Sequence, residues 1–496
     1  MFGRPNILLI TADQLRFDAL GCYGSRVCRT PNLDRLGAAG VLFERAYTPN
    51  PICVPARASI TTGNYSHRAT ISKGNGGRIG DDQPKLAEHF AAAGYRSYAC
   101  GKLHYVPYSP PGQPRLLHGF DPCDLWESGR IIGQFDPYGR LSGVEDYFDY
   151  LATVGWRGYT RGHGIGNNEV RPCRSPLPAE HHVDHWVADR TIQRLGEHAA
   201  SANGAPFLMW CSFPKPHSPY DPPAPFDAMY DPRDVPPPAG GPEMLEDRNP
   251  ILLVQRTKLA IDTLSPEALR VIRAYYYGVV SFQDQQVGRV LAEVGRLGLA
   301  DNTIVIYTSD HGDLLGDFGT FFKRNFLEGS AHIPMMLAGP GVKAGQRRRQ
   351  LAGLQDLLPT LAAMTGCPLG APVDGLDLSA ALADADAPLR DVYYSQSGDD
   401  PGQTAMVTDG RWKYCYSQWG AVEELYDLQA DPHELLNLAA DGRYGSLAAS
   451  WRERLIGEAR RLGDRGLLAG DSLAASPLDR DEIRRRPISG MGWRLY

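Results

Sequence analysis

The sequence predicts an α/β protein, with a mainly parallel central sheet sandwiched by helices and a smaller C-terminal antiparallel sheet packed by one helix. Three observations predict it. Short β-branched and aliphatic runs bounded by Gly, Pro, Asn or Asp recur along the chain, segments with helical apolar spacing lie between them, and the character changes near Asp391 to Tyr-rich and Trp-rich runs separated by turns. Strand alternating with helix is the pattern of a parallel sheet buried on both faces.

In chain order, residues 6–11, 41–47, 96–100, 206–212 and 303–309 read as buried strands. Residues 32–39, 85–93, 185–195, 266–294 and 354–365 read as helices, several of them ended by a glycine. Beyond them, 392–396, 404–408, 412–417 and 423–427 read as the strands of the second sheet, and 447–462 as its helix. The expected division is a catalytic unit over residues 1–385 and a C-terminal α+β unit with an extended tail over 386–496. The Gly-rich and Arg-rich segment 138–178 and the Pro-rich segment 214–242 are too long for ordinary connections, and loops of that length often shape a substrate pocket. The ending, with Met491, Trp493 and Tyr496, reads as a frayed tail.

Composition narrows the function classes. The 496 residues, 43% of them hydrophobic, can bury a large core. The formal charge of -6 arises from 51 basic and 57 acidic residues without a long basic tract, which excludes a phosphate backbone as the expected partner. No apolar run approaches the ~20 residues of a membrane-spanning helix. Met1 to Arg4 lead straight into an apolar stretch with no room for a secretion signal, so a cytoplasmic protein is expected. Nine cysteines are spread singly, with no close pair that would suggest zinc or redox work. Subunit surfaces carry no readable code, and a homo-oligomer, dimer or tetramer, is the expectation.

In open parallel sheets, ligands bind beyond the carboxyl ends of the strands, so the residues after each apolar run matter most. Here they are polar: Asp13-Gln14, then Gly101-Lys102-Leu103-His104, then Pro216-His217, then Asp310-His311-Gly312. Asp13, Gln14 and Asp310 offer hard oxygen ligands and His311 a nitrogen, a set suited to Ca²⁺, with Mn²⁺ or Mg²⁺ as alternatives. Taken singly, an Asp at a strand end is more often a helix cap or turn former, and a lone His more often a satisfied structural residue. Four segments converging on one edge point instead to a site.

Cys53 lies in Cys53-Val54-Pro55-Ala56-Arg57, with Pro55 suited to a first helical turn and Gly63 to a helix end. That places Cys53 at a helix N-terminus, where orphan N–H groups and the helix dipole favour an anion, and Arg57 adds a fixed charge one turn on. An isolated cysteine is otherwise most often a plain buried thiol.

Cys53-x-Pro55-x-Arg57 resembles the signature of sulfatases, in which the cysteine is converted to formylglycine. Thr30-Pro31-Asn32-Leu33-Asp34, Phe43-x-x-Ala46-Tyr47, Gly101-Lys102-x-His104, Pro216-His217-x-Pro219, Ser309-Asp310-His311-Gly312, and Lys323 with Glu328 are similar to family motifs in the family's order. Leu425-Tyr426-Asp427 with Asp431-Pro432-x-Glu434-x-x-Asn437 resembles its C-terminal part. The resemblance implies an alkaline-phosphatase-like sandwich and a sulfatase acting on a small-molecule sulfate ester, matured by a formylglycine-generating enzyme. It further implies metal binding by Asp13, Gln14, Asp310, His311 and the modified Cys53. Arg57 and Lys102 would stabilise the hydrated aldehyde and its oxygens, and His104 would handle its proton. His217 and Lys323 would face the leaving group, with His217 the general acid because imidazole titrates near neutral pH. Asn75, in a Gly-rich run, would reach the oxyanion.

The sequence departs from many sulfatases in Gln14 and His311, where the family more often has Asp and Asn. The same pair occurs in members resembling choline sulfatases and in phosphonate monoester hydrolases, so a phosphonate monoester or phosphodiester hydrolase is the alternative reading. Against it, Lys102-x-His104 resembles a sulfate-binding pair. An inactive oxyanion-binding relative with an unmodified Cys53 is the alternative from another class.

Overall fold

A computed structural model of the chain describes residues 3–70, 74–104, 114–127, 142–166, 168–201, 204–259, 261–398 and 402–485. The tail 486–496 and parts of the segment 138–178 lie outside the described residues. Among those described, no helix is long and apolar enough to cross a membrane.

The strands in chain order are β1 (Asn6–Asp13), β2 (Val41–Phe43), β3 (Ala46–Tyr47), β4 (Arg96–Gly101), β5 (Cys123–Leu125), β6 (Phe207–Pro216), β7 (Thr303–Ser309), β8 (Met335–Ala338), β9 (Gln346–Arg348), β10 (Ala352–Gly353), β11 (Tyr393–Ser397), β12 (Thr404–Thr408), β13 (Trp412–Ser417) and β14 (Val422–Asp427), followed by the short hairpin of β15 (Leu468–Ala469) and β16 (Ser472–Leu473). The main sheet runs β5-β4-β6-β1-β7-β8-β2-β9. Every neighbouring pair is parallel except β7 with β8 and β8 with β2, so β8 alone runs backwards. The predicted α/β class with a mainly parallel sheet is what the chain forms.

Alternation along β1 shows why both faces must be covered. Leu8, Ile10 and Ala12 enter one core, with Trp186 and Val187 from the helix Val183–Ser201 and Tyr276, Val280, Val287 and Val290 from the helix Pro266–Arg296. Ile7 and Leu9 enter the other, with Phe90 from the helix Leu86–Ala92, Leu357 and Leu361 from the helix Leu357–Met364, and Val54 and Ala58 from the helix Cys53–Thr62. A two-residue period splits each strand between two cores, which is the demand of a sheet with no solvent face.

The expected continuous strand over 41–47 is broken. At Glu44 the chain leaves the sheet to pair its carboxylate with Arg347 and Arg349, and Ala46–Tyr47 joins Ala352–Gly353 in a separate two-stranded ladder. Short strands such as β5 and β9 had no apolar run to announce them.

The C-terminal sheet β11-β12-β13-β14 is antiparallel throughout and packs Tyr394, Val407, Tyr414 and Leu425 against Trp451, Leu455 and Ala459 of the helix Gly445–Leu462. A buried ion cluster ties it to the main unit. Lys413 on β13 reaches the Phe326 carbonyl at 2.7 Å, Glu328 at 2.7 Å and Glu434 at 2.5 Å, with no exposure of its side chain. Burial pushes the Glu434 carboxyl up to about 7, Lys413 opposing, while burial of Glu328 is overcome by Lys413 and His332, which pull it to about 2. Lys413→Met therefore leaves Glu434 without its ion-pair partner and Glu328 with His332 alone. By urea unfolding it is expected to lose about 3–5 kcal/mol at pH 8, and less at pH 5, where the Glu434 carboxyl is protonated and carries no charge to compensate. An unchanged midpoint at pH 8 would show the cluster to be dispensable.

Candidate active site

Strand register brings the predicted residues to one edge. Asp13 lies beside Pro216, Ala12 beside Ser309, and Gly101 beside Ser212, so the carboxyl ends of β1, β4, β6 and β7 open at the same level. Asp13, Lys102 to His104, His217 and Asp310–His311 follow directly from these ends, and all are buried.

Facing them is the N-terminus of the helix Cys53–Thr62, all ten residues of which are buried. It closes on Gly63 at φ 71°, the left-handed turn that a glycine makes without strain. Its first residue, Cys53, is 1% exposed, with Sγ 3.1 Å from His311 Nε2 and 4.0 Å from Asp13 Oδ1. His311 donates from Nδ1 to the Gly312 carbonyl at 2.9 Å, which fixes the ring with Nε2 toward Cys53. One ligand atom from each of Asp13, Cys53, Asp310 and His311 lies within 4.8 Å of the others. Ligands ~2.3–2.6 Å from a common Ca²⁺ would span at most about 5 Å, so the donor set fits a single divalent cation.

Among the described residues, Arg57, Lys102 and Lys323 border this cluster. Arg57 donates from Nε to Asp310 Oδ2 at 2.9 Å, from Nη2 to Asp13 Oδ2 at 3.3 Å, and from Nη1 to the Lys102 carbonyl at 2.6 Å and Ser212 Oγ at 2.8 Å. Lys102 Nζ sits 2.5 Å from Asp13 Oδ2. Lys323 donates to Gln14 Oε1.

The electrostatic consequence is clearest at the cysteines. Burial pushes the thiols of Cys28, Cys100, Cys123, Cys211 and Cys415 above their ordinary range. For Cys53, burial and Asp13 push the same way, but Lys323, His311 and Lys102 overcome them and hold it below the ordinary value. Asp13 is likewise held well below the carboxylate range, its burial outweighed chiefly by Lys102, with Arg57 acting the same way. The place is built for negative charge.

Three predicted residues stand differently from expectation. Gln14, at φ 69°, donates from its amide to Asp313 Oδ2 at 2.5 Å and offers its oxygen to Lys323, while its backbone N–H meets Asp310 Oδ1 at 3.1 Å. Asn75 uses its carbonyl oxygen to accept the Val54 N–H at 3.2 Å, capping the helix Cys53–Thr62 from outside, and it also lines the adjoining cavity. His217 does not titrate near neutrality: burial, then Lys323, pull it well below 6.5, and its Nδ1 is committed to the Ser218 carbonyl at 2.8 Å.

Three supporting residues escaped the sequence reading. Glu127 Oε1 accepts the N–H groups of Leu103 and His104 at 3.2 and 2.8 Å, fixing the loop that carries His104. Asp313 gathers Gln14, Tyr220 (2.6 Å), Leu315 (2.8 Å) and Phe322 (2.7 Å). Ser212 bridges Arg57 and Lys102. Of these, only Asp313 had a signal, being two residues beyond His311. The site opens into a cavity of about 370 Å³ whose walls include Lys102, His104, His217 and Lys323 and an apolar side of Ile251, Val254 and Phe322.

The sulfatase family profile matches residues 5–367, well over half of the chain. The chain belongs to the sulfatase family. It is thereby a hydrolase of the sulfuric ester class. The C-terminal profile of N-sulphoglucosamine sulphohydrolase matches residues 316–461 of this sulfatase. Over 478 residues, 92% of this chain and 94% of the relative, it is 31% identical to an arylsulfatase of Clostridium perfringens. A choline-sulfatase of Rhizobium meliloti is 30% identical over 450 residues, 89% of this chain and 83% of the relative. Among solved structures, the phosphonate monoester hydrolase of Agrobacterium radiobacter aligns with a TM-score of 0.79 at 26% identity, covering 95% of this sulfatase and all of that chain.

Proposed function

We propose that this sulfatase hydrolyses sulfate monoesters of the aryl type, using a nucleophile made from Cys53. The observation that carries the reading is the setting of Cys53: a helix N-terminus among Asp13, Asp310 and His311, bordered by Arg57, Lys102 and Lys323, where it is the buried thiol drawn toward the anion. Oxidised to formylglycine by its maturation enzyme, position 53 would supply an oxygen nucleophile that the second hydroxyl of the hydrated aldehyde allows to be regenerated. A divalent cation, Ca²⁺ first and Mn²⁺ or Mg²⁺ as alternatives, held by Asp13, Asp310, His311 and position 53 with Gln14 beside them, would supply Lewis-acid charge.

The chain's own groups then divide the work. Lys102 and Lys323 meet the sulfate oxygens with fixed positive charge, and His104, whose loop Glu127 holds, accepts the nucleophile's proton. His217 faces the ester oxygen that departs. It is neutral beside the two lysines, and the arrival of an anionic ester between them raises its affinity for the proton it donates. The apolar side of the cavity suits a flat aromatic alcohol.

Phosphonate monoester hydrolysis at the same site is the second reading, favoured by Gln14 with His311 and by the backbone likeness to a phosphonate monoester hydrolase. The test is kcat/KM for p-nitrophenyl sulfate and p-nitrophenyl phenylphosphonate on one metal-loaded preparation, with Cys53→Ala as the blank. A preference for the sulfate, lost in the blank, is expected. A preference for the phosphonate would move the assignment to the second reading.

A further inference from the structure

Behind His217 lies a second ion pair that the chemistry above does not use. Lys215, the penultimate residue of β6 and 5% exposed, is not among the residues that line the 370 Å³ cavity. It donates to the Pro219 carbonyl at 2.6 Å, to the His217 carbonyl at 3.3 Å, and to the Asp221 carboxylate. These three bonds exhaust a lysine's donors. Asp221, 6% exposed, is met from the other side by His163 Nε2 at 3.3 Å. The Lys215 carbonyl accepts from Gln283 on the long helix, and Gln283 in turn accepts from Tyr307 on β7 at 3.1 Å.

The result is a clamp on both sides of one peptide. The His217 ring is oriented by its Nδ1–H bond to the Ser218 carbonyl, and the carbonyls immediately before and after that one are the two that Lys215 holds. Rotation of the Ser218 carbonyl would turn the imidazole and carry Nε2 off the line of the departing oxygen. Burying a lysine and an aspartate is costly, and an apolar pair would fill the space as well. What an apolar pair cannot do is collect two backbone carbonyls that diverge from the strand.

We infer that Lys215, with Asp221 as its counter-ion, is a positioning residue that aims His217 Nε2 at the leaving-group oxygen. The inference rests on the proposed part of His217 in leaving-group departure. It separates Lys215 from a merely structural residue, because misalignment of a general acid harms esters of poor leaving groups more than good ones, whereas general loosening harms both alike.

The experiment compares Lys215→Met, Asp221→Asn, His217→Ala and the double variant K215M/H217A on p-nitrophenyl sulfate and phenyl sulfate. For K215M the expected loss of kcat is about 10-fold on the nitrophenyl ester and about 100-fold on the phenyl ester, with KM little changed. In the H217A background the same substitution is expected to lose less than about 3-fold, since no aligned acid remains to be disturbed. D221N keeps the ammonium and the side-chain shape, and it carries the same leaving-group test should K215M not fold. Equal losses on both esters, or full additivity with H217A, would overturn the inference. If H217A itself acts equally on both esters, the general-acid reading of His217 falls and this inference with it. If wild type turns over the phosphonate instead, the same pair of leaving groups on phenylphosphonate tests the positioning role independently of the sulfate assignment.

Discussion

Cys53→Ala is expected to lower kcat/KM for p-nitrophenyl sulfate by at least about 10⁴-fold, the order lost when a nucleophile is removed from a hydrolase. The thermal unfolding of the variant should stay near wild type, because a buried thiol exchanged for a methyl leaves a small cavity inside a helix whose remaining contacts are intact. Mass analysis separates the cause: the peptide carrying Cys53 from active wild type should be about 18 Da lighter than its sequence requires, as expected for conversion of a thiol carbon to an aldehyde. Cys53→Ser gives the sharper outcome. A serine at this helix N-terminus, with Lys102 and Lys323 nearby, can accept the sulfuryl group once, but it has no second hydroxyl with which to expel it. The variant should therefore stall after a single event and gain about 80 Da. A fully unmodified Cys53 peptide in an enzyme at full activity would remove formylglycine from the account.

That much of this was readable in sequence has a physical basis. Buried parallel strands need unbroken apolar runs, so 6–11, 96–100 and 303–309 announced themselves, and the polar residues just after them had to sit at the carboxyl edge. Pro55 and Gly63 marked the two ends of the helix that begins at Cys53 for the same local reasons. The residues missed are those whose place depends on distant partners. Nothing near Glu127 says that it will hold the loop after β4, and nothing near Lys413 says that it will be buried between Glu328 and Glu434. His217 shows the same limit in electrostatics: the identity of the side chain suggests titration near neutrality, while burial beside Lys323 and Lys102 decides otherwise.

Arg57→Lys is the second substitution expected to have a large effect, and it bears on what this arginine does. The family resemblance gives it to the nucleophile's oxygens, yet its guanidinium is engaged on several sides by Asp310, Asp13, the Lys102 carbonyl and Ser212, and its side chain has no exposure. By taking Oδ2 of both aspartates it turns Asp13 Oδ1 toward Cys53 and leaves Asp310 Oδ1 to the backbone N–H groups of Gln14 and His311. A lysine preserves the charge but not the planar fork, and it cannot hold both carboxylates and the carbonyl at once. If Arg57 acts by orienting metal ligands, R57K should lose about 10–100-fold in affinity for Ca²⁺ by calorimetry, with kcat/KM falling at least as far and partly recovering at higher metal concentration. If it acts on the reacting oxygens, metal affinity should hold while the rate falls and added metal does nothing. Arg57→Met would take the guanidinium from buried Asp310 and leave Asp13 to Lys102 alone, and is expected to lose about 3–5 kcal/mol of stability as well as activity. The fork geometry favours the first outcome, since the guanidinium meets Asp310 and Asp13, whose oxygens converge with Cys53 and His311, and the Lys102 carbonyl and Ser212 beside them.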